Sequence, residues 1–470
     1  MYRLLMKALL SRDPEVRYQA AKNIYWKLPV PEYIKNKLRN VILTNFGYLD
    51  SRRKAAVSSI GKNVKIQYEI TGGSRLRQKL ARKPATNERW ILVVNSRIPE
   101  VDRTSGSVRL YAILELLRQY GYEIVFASLA DIQQYTNKKS INGEAASNNG
   151  HLSDICNEVI YGREKIGEHI ANFGYRYNYV FLSFPDVAYE LLPTVLAYSI
   201  YSKVIYDTVD LHGLRFRREG ELKKDEFLHK LADYYEHIEK VCAISSDMVI
   251  AITENEKKEI LKMAPNAIVE VIPNIHIVKK TTTRFEERDG LLFIGHFRHA
   301  PNQDAVIFFI NDILPRILER IPNIKFTIIG SDVTDNVRKL ANDHVEVVGY
   351  VEDPEPYFSS HRVFVAPLRY GAGMKGKIGQ SMSLGLPLVT TTIGAEGMNL
   401  INNTHVLIND DIEGFAAAVI DLYNNKELWC SLSDNGASHI EKNYSYTVVG
   451  KTLSRVFGKQ NLDQNEVSAG

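Results

Sequence analysis

Residues 368–398, LRYGAGMKGKIGQSMSLGLPLVTTTIGAEGM, hold the densest set of groups in the chain that could do chemistry. The segment follows an apolar strand and enters a helix. Gly371, Gly373 and Gly376 let the backbone come close to a ligand, and the helix N-terminus offers N–H groups with no intrahelical partner. Lys375 and Lys377 bring positive charge to the same place. This combination suits a phosphate. A second glycine turn, Gly394–Gly397, follows the next strand, so two backbone-exposing turns form a surface rather than one corner. Residues 371–376 also satisfy the dinucleotide fingerprint GxGxxG, which calls for an acidic residue about 20 positions on, at the end of the next strand. That strand, Leu388–Thr392, ends in threonines, and Glu396 arrives only after the turn. A plain glycine turn with solvated lysines is the alternative to both ligand readings.

Such turns need a parallel sheet to hold them, and the texture from Trp90 onward supplies one. Strand-like runs at 90–95, 123–128, 179–184, 203–207, 248–253 and 268–272 alternate with amphipathic helices. These include one long charged helix reaching about Ala243. A polar stretch at 136–150 interrupts them as a loop. After Pro273-Asn274 and the polar run KKTTTRFEERD (279–289), read as a linker, a second series follows at 291–294, 325–329, 345–348, 361–367, 387–391 and 406–408. A helix over 304–321 and three closing helices belong to it. The expected fold is α/β: two tandem doubly wound Rossmann-like domains facing a cleft, with ligands beyond the C-terminal strand ends. The domains are read as 87–275 and 288–445, followed by a C-terminal helix at 446–458 and a disordered tail at 459–470.

Composition narrows the class. Hydrophobic residues are 45% and charged residues 24% of the 470, as in ordinary globular proteins. No run of about 18 apolar residues suggests a membrane span. The apolar start MYRLLMKALL is broken by Lys7 and lacks a cleavage site, so a secretory signal is not expected. Three scattered cysteines argue against a disulfide framework or a zinc site, and for a reducing cytoplasm. The net charge of +4 hides an asymmetry: residues 1–86 carry +14 and the remainder −10. This basic helical extension has no nucleic-acid-binding pattern. It reads either as a solvated extension or as a peripheral contact with the anionic inner face of a membrane.

Four segments carry a resemblance to a known family: GHFRHAPNQDA (295–305), VVGYVED (347–353), FVAPLRYGAGMKGK (364–377) and GLPLVTTTIGAEGM (385–398). The second half resembles the C-terminal half of a retaining GT-B glycosyltransferase of family 4. The first half resembles it more weakly, through VNSRIPEVDRTSGSVRLY (94–111), YDTVDLHGLRFRRE (206–219) and VIPN (271–274).

The resemblance implies a nucleotide-sugar donor on the second domain, its pyrophosphate met by Gly371, Ala372, Gly373, Met374, Lys375 and Lys377. Arg298 is implied as a second phosphate partner, and Glu396 as part of the donor site. Gln380 stands where the family usually has a ribose-binding glutamate; its amide still accepts a hydrogen bond but lacks the charge that strengthens one. The first domain would hold a saccharide or lipid-linked saccharide acceptor. Ser105 and Gly106 form a cleft loop there, and Asp210 and His212 are the implied catalytic pair. Cofactors are none, and no DxD string or His/Cys cluster points to a metal. The implied activity is sugar transfer to an acceptor hydroxyl in surface polysaccharide or glycoconjugate synthesis. A nucleotide-sugar epimerase of the same fold and a weakened nucleotide-binding scaffold are the alternatives.

Overall fold

The computed structural model of the chain describes residues 89–100, 104–131 and 149–458. The basic extension 1–86, the tail 459–470 and residues 136–148 of the polar loop lie outside the described residues.

Two all-parallel sheets organise the chain. The first has β1 (Arg89–Asn95), β2 (Tyr122–Ser128), β3 (Glu158–Tyr161), β4 (Tyr179–Ser183), β5 (Lys203–Asp207), β6 (Met248–Ala251) and β7 (Val269–Val271), in the order β3-β2-β1-β4-β5-β6-β7. The second has β8 (Leu291–Ile294), β9 (Phe326–Ile329), β10 (Val345–Gly349), β11 (Val363–Ala366), β12 (Leu388–Thr390) and β13 (Leu407–Ile408), in the order β10-β9-β8-β11-β12-β13. Ile91, Leu92, Val93 and Val94 are all fully buried, because helices cover both faces. That is why the strands read as continuous apolar runs rather than alternating ones. In each sheet the winding reverses once, between β1 and β4 and between β8 and β11. Ligands of doubly wound sheets bind at such reversals.

The helices that matter for the site are α1 (Ser105–Gln119), α2 (His212–Lys223), α3 (Glu226–Ser245), α4 (Glu254–Met263), α5 (Ala300–Phe308), α6 (Gly376–Ser383), α7 (Lys426–Tyr444) and α8 (Tyr446–Phe457). The single long charged helix expected before Ala243 is two helices. Lys224 takes a left-handed conformation (φ 52°), and Asp225 then caps α3 by accepting from the Phe227 N–H. The helix expected over 304–321 starts earlier, at Ala300 with Pro301 in its first turn, and passes through a π-helical segment at Phe309–Ile313 before Pro315. β3 and the helix Arg163–Phe173 are not among the expected elements.

The C-terminal helix is not a separate closing element. α8 returns to the first domain, where Val449, Leu453 and Phe457 enter its core. The Tyr120 hydroxyl donates to the Gly450 carbonyl at 2.7 Å, and Arg89 donates to the Phe457 carbonyl at 2.7 Å. The chain thus crosses between the domains twice. The polar 279–289 run is also more than a spacer: Arg288 is buried and donates to the carbonyls of Phe358 and His361.

Arg109 of α1 ties the C-terminal ends of β5 and β7 to the first helix. Its guanidinium pairs bidentately with Asp207 at 2.9 and 2.8 Å and donates to the Ile272 carbonyl at 3.0 Å, all in the interior. Arg109→Ala leaves Asp207 as an uncompensated buried charge. It is expected to cost about 3–5 kcal/mol, read as a lower urea midpoint for the first domain.

Candidate functional site

The C-terminal strand ends of the two sheets enclose a cleft of 920 Å³, lined from both domains. Ligand pockets run from about 300 to 1,000 Å³, so this one has room for a large donor. Ser105, Gly106, Asp210 and His212 line it from the first domain, and Gly371, Ala372, Met374, Lys375, Lys377 and Gln380 from the second. Three expected residues do not line it. Gly373 and Glu396 border a neighbouring 150 Å³ pocket. Arg298 is half-exposed and pairs with Asp332 at 3.1 Å.

The glycine turn after β11 leads into α6, whose N-terminus no side chain caps. Lys375, at that N-cap position, points back under the loop: its ammonium donates to the Gly373 carbonyl at 2.8 Å and meets Glu396 at 3.3 Å. Lys377 does the opposite. Its ammonium lies 4.2 Å above the Phe293 ring and donates to the Asn302 side-chain oxygen at the start of α5. The turns after β8 and β11 are therefore tied across the reversal point. Burial pushes the Lys377 ammonium down to about 7. An anion at the site would restore its charge.

Glycine at two positions answers to the opposite domain. Gly373 has φ +67°, and a Cβ there would sit 2.6 Å from Ile252. At Gly376 the backbone is helical, but a Cβ would fall 2.3 Å from the Ser105 Cβ. The donor turn and the first turn of α1 touch only because no side chain separates them.

On the first domain, β5 leads into residues 208–212. Val209 has φ 61°, a strained conformation for a β-branched residue. Two buried carboxylates hold it there. Glu256 accepts from the Leu211 and Ile252 N–H groups at 3.0 and 3.2 Å, and Glu239 accepts from the His212 N–H at 2.6 Å. Burial pushes both up to about 8.

This scaffold aims Asp210 into the cleft, paired with the Arg215 guanidinium and with His212 Nε2 at 3.0 Å. Burial would raise the Asp210 pKa, but the Arg215 guanidinium and the His212 ring beside it outweigh burial and hold the carboxyl well below its ordinary range. Asp210 is thus ionised at working pH and a weak base. It is placed to accept hydrogen bonds and to present negative charge to the cleft. His212 is held as well: its ring sits 5.0 Å from Tyr235 and 6.1 Å from Phe184, and its Nδ1 is buried without a partner among the described residues. Its Nε2 thereby fixes the orientation of the Asp210 carboxylate.

Arg218 emerges from the geometry alone. It donates to the Gly371 carbonyl at 2.7 Å and pairs bidentately with Glu396 at 2.7 and 2.8 Å, joining the first domain to both glycine turns. Its signal was the spacing within RFRRE: Arg215, Arg218 and Glu219 share a helix face at i, i+3 and i+4. Glu219 in turn accepts from the Tyr370 hydroxyl at 3.3 Å. The Arg218–Glu396 pair explains why Glu396 lies outside the cleft. Among the described residues, no group of three or more His, Cys, Asp or Glu side chains is placed to hold a metal.

Residues 288–425 match the family described as glycosyl transferases group 1. An uncharacterized 44.6 kDa protein in the cps region of Klebsiella pneumoniae is 23% identical over 392 residues, covering 78% of this chain and 98% of its own length. The capsular polysaccharide biosynthesis glycosyltransferase CapM of Staphylococcus aureus is 22% identical over 144 residues, 29% of this chain and 38% of that protein. The crystal structure of Anabaena Alr3699/HepE in complex with UDP and glucose shares the fold with a TM-score of 0.58 at 10% identity, over 79% of this chain and 100% of that one. Fold, cleft and family match define the class: the chain is a glycosyltransferase of GT-B architecture. Within that class, its second domain is a group 1 glycosyl transferase domain.

Proposed function

We propose that the chain moves a sugar from a nucleotide-sugar to an acceptor hydroxyl, with retained anomeric configuration and no metal ion, in surface polysaccharide or glycoconjugate synthesis. The observation that carries this reading is Lys377 beside the uncapped N-terminus of α6, at the reversal point of the second sheet and open to the shared cleft. Departure of a nucleoside diphosphate concentrates negative charge on phosphate oxygens. A cation and preorganised amides stabilise that charge as it develops. Asp210, fixed by Arg215 and His212, takes up sugar hydroxyls on the facing side. The relative named for capsular polysaccharide synthesis and the UDP-bound structural neighbour support the substrate classes. No observation favours the epimerase reading.

The test is a panel of nucleotide-sugars incubated with the full chain, read as released nucleoside diphosphate. One sugar and one base are expected to stand out, with uridine nucleotides tried first. No release and no binding of any member would overturn the proposal.

Gln380 faces the cleft one turn into α6, and its side-chain amide makes no hydrogen bond among the described residues. A carboxylate there would accept charge-assisted hydrogen bonds, about twice as strong as neutral ones. Gln380→Glu is therefore expected to tighten nucleoside diphosphate binding by roughly threefold to tenfold in a calorimetric titration. Unchanged affinity removes the ribose role.

No helix among the described residues is long and apolar enough to cross a membrane. The +14 carried by residues 1–86 supports a peripheral role at an anionic lipid surface. Flotation with anionic vesicles is expected to carry the full chain but not a form lacking 1–86. Equal partitioning would end that role.

A further inference from the structure

The turn from β8 into α5, Gly295–His299, carries three basic side chains: His296 is held against Ser331 and Asp332, and the structure orients Arg298 and His299 oppositely. Arg298 leaves the cleft and meets Asp332, a residue of the β9 turn that also faces His296 Nδ1 at 3.4 Å. His299, the next residue and the N-cap of α5, lines the cleft, where its side chain is exposed. Its ring makes no hydrogen bond among the described residues. The groups that act on it electrostatically are Lys377 and His296 of its own domain and Asp210 and Arg215 across the cleft.

We propose that His299, not Arg298, is the second side chain on the donor diphosphate, contacting the phosphate next to the sugar. This rests on the donor reading above and refines it. Three observations carry it. First, Lys377 and His299 start from the turns after β11 and β8, the neighbouring strands between which the winding reverses. Asn302 ties those turns by accepting from Lys377 and donating to the His296 carbonyl at 2.8 Å.

Second, His299 lies within electrostatic reach of both Lys377 and Asp210. A group so placed meets the phosphate that joins the sugar rather than the one that joins the nucleoside. Third, its ring has a free N–H to give. Partial desolvation between the cleft walls, with the Arg215 and Lys377 cations facing the ring and only Asp210 opposing them, lowers the imidazole's pKa, so it enters the complex neutral, with one nitrogen a donor. It hydrogen-bonds the phosphate without adding a third fixed charge beside Lys377 and Arg215.

The experiment is calorimetric titration of the full chain with UDP, GDP, ADP and CDP, followed by the nucleoside monophosphate of whichever base binds. His299→Ala is expected to weaken the diphosphate about tenfold, the scale of a hydrogen bond to a charged group, and to leave the monophosphate unchanged. His299→Gln, which keeps a donor, should recover part of the loss, and Arg298→Ala should change neither ligand. Circular dichroism confirms that each variant is folded. Equal affinities in wild type and His299→Ala overturn this assignment and leave the donor reading standing. Equal loss for monophosphate and diphosphate overturns it too, by moving His299 to the nucleoside. A wild type that binds no nucleoside diphosphate overturns both.

Discussion

Lys377→Ala is expected to lower donor turnover by about 10²–10³-fold, the usual consequence of removing one preorganised group that meets developing charge. The loss should appear in kcat with every acceptor, because the residue acts on the leaving group and not on the sugar that is attacked. The fold should survive, since among the described residues the ammonium's contacts are the Phe293 ring and the Asn302 oxygen. The pH profile separates this role from a packing role. With its pKa pushed down to about 7, Lys377 is charged below pH 7 in the free enzyme and loses its proton above it. Donor binding needs the charged form, so kcat/KM for the donor should fall as pH rises from 7 to 9. Lys377→Arg keeps its charge throughout this range and should flatten the fall. An identical decline in the arginine variant would assign it to another group.

Gly376→Ala is the second large effect, and it separates activity from stability. Alanine is the better helix former by about 1 kcal/mol, so the second domain itself should not be destabilised. The new methyl, however, would meet the Ser105 side chain at 2.3 Å and force the domains apart. A displacement of about 1 Å between reacting groups can cost 10²-fold, and a loss of that order in kcat is expected. Ser105→Gly in the same chain removes the clashing carbon and should restore part of the activity. A double variant no better than Gly376→Ala would mean that the loss lies within α6 itself.

Much of this arrangement was legible in the sequence because backbone chemistry dictates it. Glycines that must approach a ligand or another helix, an uncapped helix start and parallel strands buried on both faces all leave local marks. Hence the 371–377 turn, the two sheets and the cleft could be read from residue types and spacing. What was not legible depends on which way a side chain turns. Arg298 and His299 are adjacent and both basic, and only the position of Asp332 decides that the first leaves the cleft. Nothing in the sequence marks Glu239 and Glu256 as interior, yet both are buried beneath the 208–212 loop. The Arg218–Glu396 pair spans 178 positions of sequence, and the return of α8 to the first domain spans more than 300. Periodicity carries no information over such separations. Lys224 breaks a charged helix through its backbone conformation alone, with no proline or glycine to announce it.

The central claim is that a nucleoside diphosphate binds at the reversal point between β8 and β11. A co-crystal structure with the diphosphate preferred in titration tests it most directly. The account predicts phosphate oxygens within hydrogen-bond distance of Lys377 Nζ and of the first backbone N–H groups of α6, with the ribose toward Gln380 and the sugar-side phosphate toward Asp210. A diphosphate bound elsewhere, or in the cleft with no contact to Lys377 or α6, would contradict it.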